Sequence, residues 1–266
     1  MYVGAEPRLQ PEARLLSLFP STVGIREPEL TCATCNLQET CLTGGMPAAL
    51  RERVENIVYP RRRVKRGEHL FSAGDEFHCF YAIRSGFFKT NFVDREGRER
   101  VTGFFMGGEL LGLEGLGSGR CDYSAIALED SMVCGMPYSR IEKIAREIPL
   151  LQHRLHSVLS REIMRGHSIM MLLGAMSAEE RLATFLLNLS RRLLRRGYSG
   201  SSFMLRMSRN EIGSYLGLKL ETVSRVFSAF HRNGLIEVQG KHVSIIDSKG
   251  IERVLTCRDS AEQRRA

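Results

Sequence analysis

Three thiols stand close together near the start of the chain: Cys32, Cys35 and Cys41, in the stretch Thr-Cys-Ala-Thr-Cys-Asn-Leu-Gln-Glu-Thr-Cys from Thr31 to Cys41. So tight a Cys-x2-Cys-x5-Cys set cannot easily close disulfides with itself, and it has the density of a metal or iron–sulfur site. Both kinds of site usually want four ligands, so a fourth must come from elsewhere. Cys79, Cys121, Cys134 and Cys257 are the remaining cysteines, and the spacing does not choose among them. A zinc-stapled or redox-inert loop is the plain alternative. The set fits neither the paired Cys-x2-Cys motifs of a zinc ribbon nor a finger's two histidines, which favours an iron–sulfur cluster.

The rest of the chain must position these thiols and put them to use. At 266 residues, 43% hydrophobic and 26% charged, it is long enough for one or two domains with a real core and is soluble and globular in composition. No run of 18 apolar residues is present, so no membrane span is expected. Met1 to Arg14 carries Glu6, Arg8, Glu12 and Arg14 and no apolar signal-peptide core. Seven cysteines, an odd number, then point to a reducing, cytoplasmic compartment and to metal or redox use. The net charge of +8 is segregated. From Gly174 onward 16 Lys and Arg stand against 9 Asp and Glu, and before it 22 stand against 21. A basic module on a neutral body suggests a polyanionic partner, most simply nucleic acid.

Residues 1–30 show weak periodicity and are expected to wrap over another domain. Pro47 to Asn56 reads as a helix, with Leu50, Val54 and Ile57 on one face. From Ile57 to about Tyr138, short apolar runs broken by glycines predict an antiparallel barrel or roll, with a hairpin tip at Asp94-Arg-Glu-Gly97. Pro149 opens a long helix to about Leu173. Along it Gln152, His156, Leu159, Ile163, Gly166, Met170 and Leu173 alternate spacings of four and three, the seam of a two-stranded coiled coil. Leu151, Leu155 and Val158 offer a second stripe for the roll. A helix packed only on its own domain is the alternative.

Gly174 is expected to hinge into Ser177-Ala-Glu-Glu180, a capping box that opens a helix to Arg196. After a strand around Phe203 to Met207, Ser208 caps a short helix, Gly217 takes the turn and Leu220 begins a second helix. That is a helix-turn-helix, with Ile212, Leu216, Val223, Val226, Phe227 and Phe230 inward. Glu221, Ser224, Arg225 and Ser228 face outward. Leu235 to Ile246 predicts a strand-turn-strand wing.

Together these motifs resemble the Crp/Fnr family of transcription regulators, and most closely its oxygen-sensing branch. The resemblance runs from Cys32 to about Asp247. It is carried by Lys65-Arg-Gly-Glu-His-Leu-Phe-Ser-Ala-Gly-Asp75, Tyr81-Ala-Ile-Arg-Ser-Gly86, Ser131-Met-Val-Cys134, Ala178-Glu-Glu-Arg-Leu-Ala183, Asn188-Leu-Ser-Arg-Arg192 and Leu220-Glu-Thr-Val-Ser-Arg225. It implies an α+β chain with a cysteine segment at 1–46, a cyclic-nucleotide-binding-like β-roll at 47–148 and a dimerisation helix at 149–173. A winged helix-turn-helix at 174–250 and a tail at 251–266 complete it.

The resemblance also supplies the fourth ligand. It implies that Cys32, Cys35, Cys41 and Cys134 hold a [4Fe–4S] cluster. Where the cyclic-AMP branch has an Arg-Ser pair for the phosphate, this chain has Cys121 and Asp122, so no cyclic nucleotide is expected; an acidic side chain there would repel one. A homodimer joined through His156, Leu159, Ile163, Gly166, Met170 and Leu173 would present two second helices to double-stranded DNA. The operator would then be a palindrome of TTGAT-type half-sites. Arg225 is suited to guanine, Glu221 to cytosine and Ser224 to thymine. Arg84-Ser85-Gly86 and the Asp94 to Arg100 hairpin resemble surfaces turned towards RNA polymerase.

The expectation is therefore a cytoplasmic activator of anaerobic metabolism that loses DNA affinity when oxygen disassembles its cluster. One alternative keeps the DNA binding and makes the thiols a structural zinc or thiol-redox site. Another is an iron–sulfur enzyme, but no acid, base or nucleophile constellation accompanies the cysteines, and His69, His78, His153, His156, His167, His231 and His242 are scattered.

Overall fold

The structure is a computed structural model that describes residues 32, 34, 35, 37, 40–58, 61–94 and 96–256. The expected course of residues 1–30 and Cys257 lie outside the described residues. By its internal contacts the chain divides into two units. One holds the described residues up to Phe88 together with Phe105–His156, and the other holds Lys89–Phe104 together with the described residues from Ser157 onward.

The first unit opens with α1 (Ala48–Glu55), whose Val54 is buried. Antiparallel strands follow along the chain: β1 (Arg62–Val64), β2 (His69–Phe71), β3 (Cys79–Ser85), β4 (Phe87–Val93), β5 (Glu99–Met106), β6 (Leu110–Leu111), β7 (Ser124–Ala127) and β8 (Ser131–Pro137); most of β4 and β5 falls in the second unit. They form two sheets, β1-β8-β3-β6 and β2-β7-β4-β5. Val64, Leu70, Tyr81, Ile83, Phe88 and Val133 share one core, as expected of a roll whose strands turn alternate side chains inward. Gly97 takes φ 78° at the tip of the β4–β5 hairpin, where its N–H donates to the Asp94 carbonyl, matching the expected turn.

A one-turn helix, α2 (Gly115–Ser118), precedes β7, and α3 (Tyr138–Glu147) follows β8. The sequence reading did not anticipate α3. Its apolar residues are few, and only Ile141 and Ala145 are buried. The long helix α4 (Pro149–Ala175) then passes from the first unit to the second. It continues through Gly174, so the helix does not break at that glycine as expected.

α4 has two unlike faces. Leu151, Val158 and Leu172 are 0%, 7% and 6% exposed, whereas Ile163, Met170 and Leu173 are 60%, 64% and 40% exposed. His156 and Gly166 are also exposed, and Leu159 is half-buried. Of the stripe expected to face the roll, Leu151 and Val158 are thus covered and Leu155 is half-buried, and the heptad seam lies open within the single chain.

In the second unit α5 (Ala178–Leu194) begins at the expected capping box: the Glu180 N–H donates to Ser177 Oγ at 3.3 Å, and the Ser177 N–H to Glu180 Oε2 at 2.6 Å. A second box opens α6 (Arg209–Leu216), with Ser208 as cap and Glu211 reciprocating. Gly217 ends it at φ 64° in the left-handed region, and α7 (Leu220–Arg232) follows. Strands β9 (Ser202–Met204), β10 (Ile236–Gln239) and β11 (His242–Ile245) form the sheet β10-β11-β9, in which β10 and β11 are the expected wing. A last helix, α8 (Ser248–Thr256), occupies part of the expected tail; Asp247 Oδ1 accepts from the Gly250 N–H at 2.8 Å in its first turn.

The turn between α6 and α7 is tight because residue 213 has no side chain. A Cβ there would lie 2.6 Å from the Leu218 carbonyl oxygen, which is backbone and cannot swing aside. Gly213→Ala should therefore destabilise this unit by about 1–3 kcal/mol, the usual cost of overpacking. Urea denaturation followed by far-UV circular dichroism measures it.

Candidate functional site

The thiol segment is folded back on itself by short hydrogen bonds. The Cys35 N–H donates to the Cys32 carbonyl at 3.3 Å and the Cys41 N–H to the Leu37 carbonyl at 3.0 Å. Glu55, the last residue of α1, accepts from the Cys32 N–H at 2.9 Å. Leu37, Leu42, Thr43 and Met46 are buried and anchor the segment. It rests on two successive glycines after β5. A Cβ on Gly107 would stand 3.0 Å from Leu37 Cδ1, and one on Gly108 (φ 85°) would collide with Thr40 Oγ1. The segment's far end meets α4, since a Cβ on Gly45 would lie 2.6 Å from Arg154 Nη2.

Cys134 stands in β8, paired with Ala82 of β3. Its thiol is raised to about 11 by burial first and then by the charge of Cys41; Arg61 and Arg84 oppose the rise, and Cys35 adds to it. Cys32 is raised to about 12 by burial, by Glu55, and by the charges of Cys41, Cys134 and Cys35. Cys41 is raised chiefly by burial, and Cys35 again acts on it. Each of these four thiols therefore lies within electrostatic reach of the other three.

Cys79 and Cys121 belong elsewhere. Both are buried in the core of the roll, where Cys79 Sγ donates to the Phe80 carbonyl at 3.2 Å and Cys121 feels Glu114, Asp75 and Asp122. Among the described residues no three His, Cys, Asp or Glu side chains are arranged to hold a single metal ion. The donor set itself suits an iron–sulfur cluster: four half-buried soft sulfurs that act on one another, with the two cations Arg61 and Arg84 acting on Cys134.

At the position of the phosphate-binding pair, Cys121 is buried and Asp122 is exposed. The neighbouring Arg120 donates through Nη1 to the Gly74 carbonyl at 2.9 Å.

In the second unit, Val223, Val226, Phe227 and Phe230 of α7 are buried, and Glu221, Ser224, Arg225 and Ser228 are exposed on its other face. A groove of about 690 Å³ runs beside that face, lined by Ala178 and Glu179 at the start of α5 and by Thr222, Ser224, Arg225 and Arg232. The exposed Arg225 guanidinium donates through Nη2 to Thr222 Oγ1 at 3.4 Å. Arg209, the first residue of α6, was missed by the sequence reading. Its guanidinium lies 3.1 Å above the Phe227 ring, and burial lowers it to about 10, so it stays charged at neutral pH.

An exposed polar helix face beside a wing, behind an antiparallel roll, defines a DNA-binding transcription regulator rather than an enzyme. Comparison with known proteins agrees. Residues 61–147 match the cyclic nucleotide-binding domain, and residues 180–254 match the Crp-like helix-turn-helix domain. The chain is 43% identical over 228 residues to the transcriptional activator protein anr of Pseudomonas aeruginosa, covering 85% of this chain and 93% of that one. It is 36% identical over 223 residues to the fumarate and nitrate reduction regulatory protein of Escherichia coli K12, covering 84% and 89%. Among solved structures it is similar to FixK2 from Bradyrhizobium japonicum, with a TM-score of 0.67 and 28% identity, covering 73% of this chain and 96% of that one. The chain belongs to the Crp/Fnr family.

The glycine contact gives a test that needs no metal. Gly108→Val should push Thr40 off the roll and release the segment, so Cys32 and Cys41 of metal-free protein should alkylate with iodoacetamide several times faster. Mass spectrometry of the labelled peptides reads the change, with buried Cys79 as the internal control.

Proposed function

We infer that the protein is an oxygen-responsive regulator of anaerobic genes, in which Cys32, Cys35, Cys41 and Cys134 hold a [4Fe–4S] cluster. The observation that carries this reading is the mutual electrostatic reach of those four thiols on one surface of a Crp/Fnr roll. Two relatives support it by name, one a transcriptional activator and one a regulator of fumarate and nitrate reduction. When bound, the cluster would supply an oxygen-labile centre.

The chain's own part is to couple that centre to dimer formation. The thiol segment lies between the Gly107-Gly108 turn and Arg154 of α4, so ordering the segment steadies the start of the long helix. The open seam of His156, Leu159, Ile163, Gly166, Met170 and Leu173 then pairs with a second copy. Losing the segment's order lowers operator affinity by weakening two-site binding. In that dimer Arg225, Glu221 and Ser224 read the half-site bases. Asp122 beside buried Cys121 supports the absence of a cyclic-nucleotide role, because an acidic side chain there would repel a phosphate. Arg84-Ser85-Gly86, of which Ser85 is exposed and the other two half-buried, and the Asp94 to Arg100 hairpin are the proposed contacts with RNA polymerase. No described helix is long and apolar enough to cross a membrane.

Anaerobically purified protein should be brown and carry iron and sulfide in equal amounts; colourless protein containing zinc would reject the reading. Cys→Ser at positions 32, 35, 41 or 134 should abolish the colour, since a hard hydroxyl replaces a soft thiolate, while Cys79→Ser and Cys121→Ser should keep it.

Base reading is tested separately. Arg225→Ala should cost about 1–3 kcal/mol per half-site and relax preference at one G·C pair. Binding titrations against operators substituted one pair at a time measure it, and a uniform loss on every operator would mark a phosphate contact instead.

A further inference from the structure

The β4–β5 hairpin meets α6 along a single stripe. Glu211, Ser214 and Tyr215 are spaced three and four residues apart and so share one face of that helix. Each meets a hairpin residue. Lys89 Nζ donates to Glu211 Oε1 at 2.7 Å, with the two side chains only 17% and 20% exposed. The Val101 N–H donates to Ser214 Oγ at 2.9 Å. The Phe104 ring lies 5.2 Å from that of Tyr215 and 6.1 Å from that of Phe185 of α5.

The hairpin is tied at the same point to the long helix. The Phe104 carbonyl accepts from Arg165 Nη2 of α4 at 3.0 Å and from Arg192 Nη2 of α5 at 2.7 Å. Arg165 neighbours the seam residue Gly166.

We propose that Lys89 is a positioning residue for DNA binding, and that the β4–β5 hairpin is the clasp that fixes α6, and with it α7, against the long helix. This rests on the reading of α7 as the operator-contacting helix of a dimer. Glu211 does two jobs with its two oxygens. Oε2 completes the cap on α6 by accepting from Ser208, and Oε1 holds Lys89. Burial raises the Glu211 carboxyl, but the bonds from Lys89 and Ser208 outweigh it and hold the group below its ordinary value. The Glu211 carboxylate is therefore ionised at neutral pH, in surroundings that screen its contact with Lys89 poorly. The clasp touches neither the thiols nor the outward face of α7. Its loss should leave the reading head intact but let its angle to the long helix drift. A palindrome that must be met by two heads at once feels that drift, and a single half-site does not.

The test compares two DNA duplexes, one with two TTGAT-type half-sites in palindrome and one with the second half-site scrambled. Wild-type full-length protein binding the palindrome in preference establishes the reading on which the proposal rests. Lys89→Met keeps the aliphatic stem and removes the charge; it should lose about fivefold or more on the palindrome and keep wild-type affinity for the half-site duplex. Lys89→Arg should restore the palindrome. Ser214→Ala, which leaves the capping box untouched, should show the same selective loss. Sedimentation of each variant should give the wild-type mass. Wild-type affinity of both Lys89→Met and Ser214→Ala for the palindrome would overturn the proposal. So would equal losses on both duplexes, or a fall in mass, because either would assign the effect to the head or to the seam.

Discussion

Thr40 fills the space that a side chain on residue 108 would need, and the thiol segment can lie on the roll only because that space is empty. Gly108 also sits at φ 85°, so the backbone and the packing make the same demand. Around this contact Leu37, Leu42 and Thr43 become buried, and Cys41 is carried to within reach of Cys134 on β8. The thiols themselves resist the arrangement. Burial and the neighbouring thiols raise the pKa values of Cys32, Cys41 and Cys134, so the metal-free segment gains nothing from these sulfurs and is held by apolar burial and the glycine seat. Such a seat gives a bound cation or cluster the largest influence on whether the segment stays ordered.

The long helix turns that local order into a property of the whole chain. Its covered stripe, Leu151, Val158 and Leu172, commits one face to the chain's own packing. The other face carries Ile163, Met170 and Leu173 in the open. Burying such side chains is worth about 1.5–3 kcal/mol each, whereas association costs at least about 4 kcal/mol in lost freedom. A seam of this length sits near that balance, where ordering a first turn can tip it. Gly166 adds no apolar area but has open space around it, so a partner backbone could approach closely there.

Much of this was legible in sequence, because the features concerned are local. The Ser177–Glu180 capping box, the Ser208 cap and the hairpin tip each involve about one turn of chain, and the inward face of the helix-turn-helix is the periodicity of its two helices; all stand where the sequence placed them, and the reciprocal bond of Glu211 to Ser208 is an addition. What escaped involves residues far apart or short segments between longer ones. The helix α3 carries a helical period in Ile141, Ile144 and Ala145, but it occupies only the few residues between the roll and the long helix. The helix α8 carries one local signal, Asp247 as a helix cap before Ile251, in a segment expected to be tail. Thr40 against Gly108 and Lys89 against Glu211 join residues that no periodicity relates. Cys134 was singled out among the spare cysteines by family resemblance alone; the register that pairs it with Ala82 and the charges that act on it are features of the fold.

The short helix α6 shows why such distant contacts matter. It has only eight residues, and a helix so short is marginal by itself, capping box included. Its geometry is imposed from two sides. On one, Ile212 and Leu216 are fully buried and Arg209 lies over Phe227, which binds α6 to the helix that faces DNA. On the other, Glu211, Ser214 and Tyr215 are taken up by the hairpin. A helix held on both faces has little freedom of its own, so it passes on any displacement of one neighbour to the other. That makes α6 a mechanical link rather than a scaffold, and it places the control of operator affinity in contacts that never touch a base.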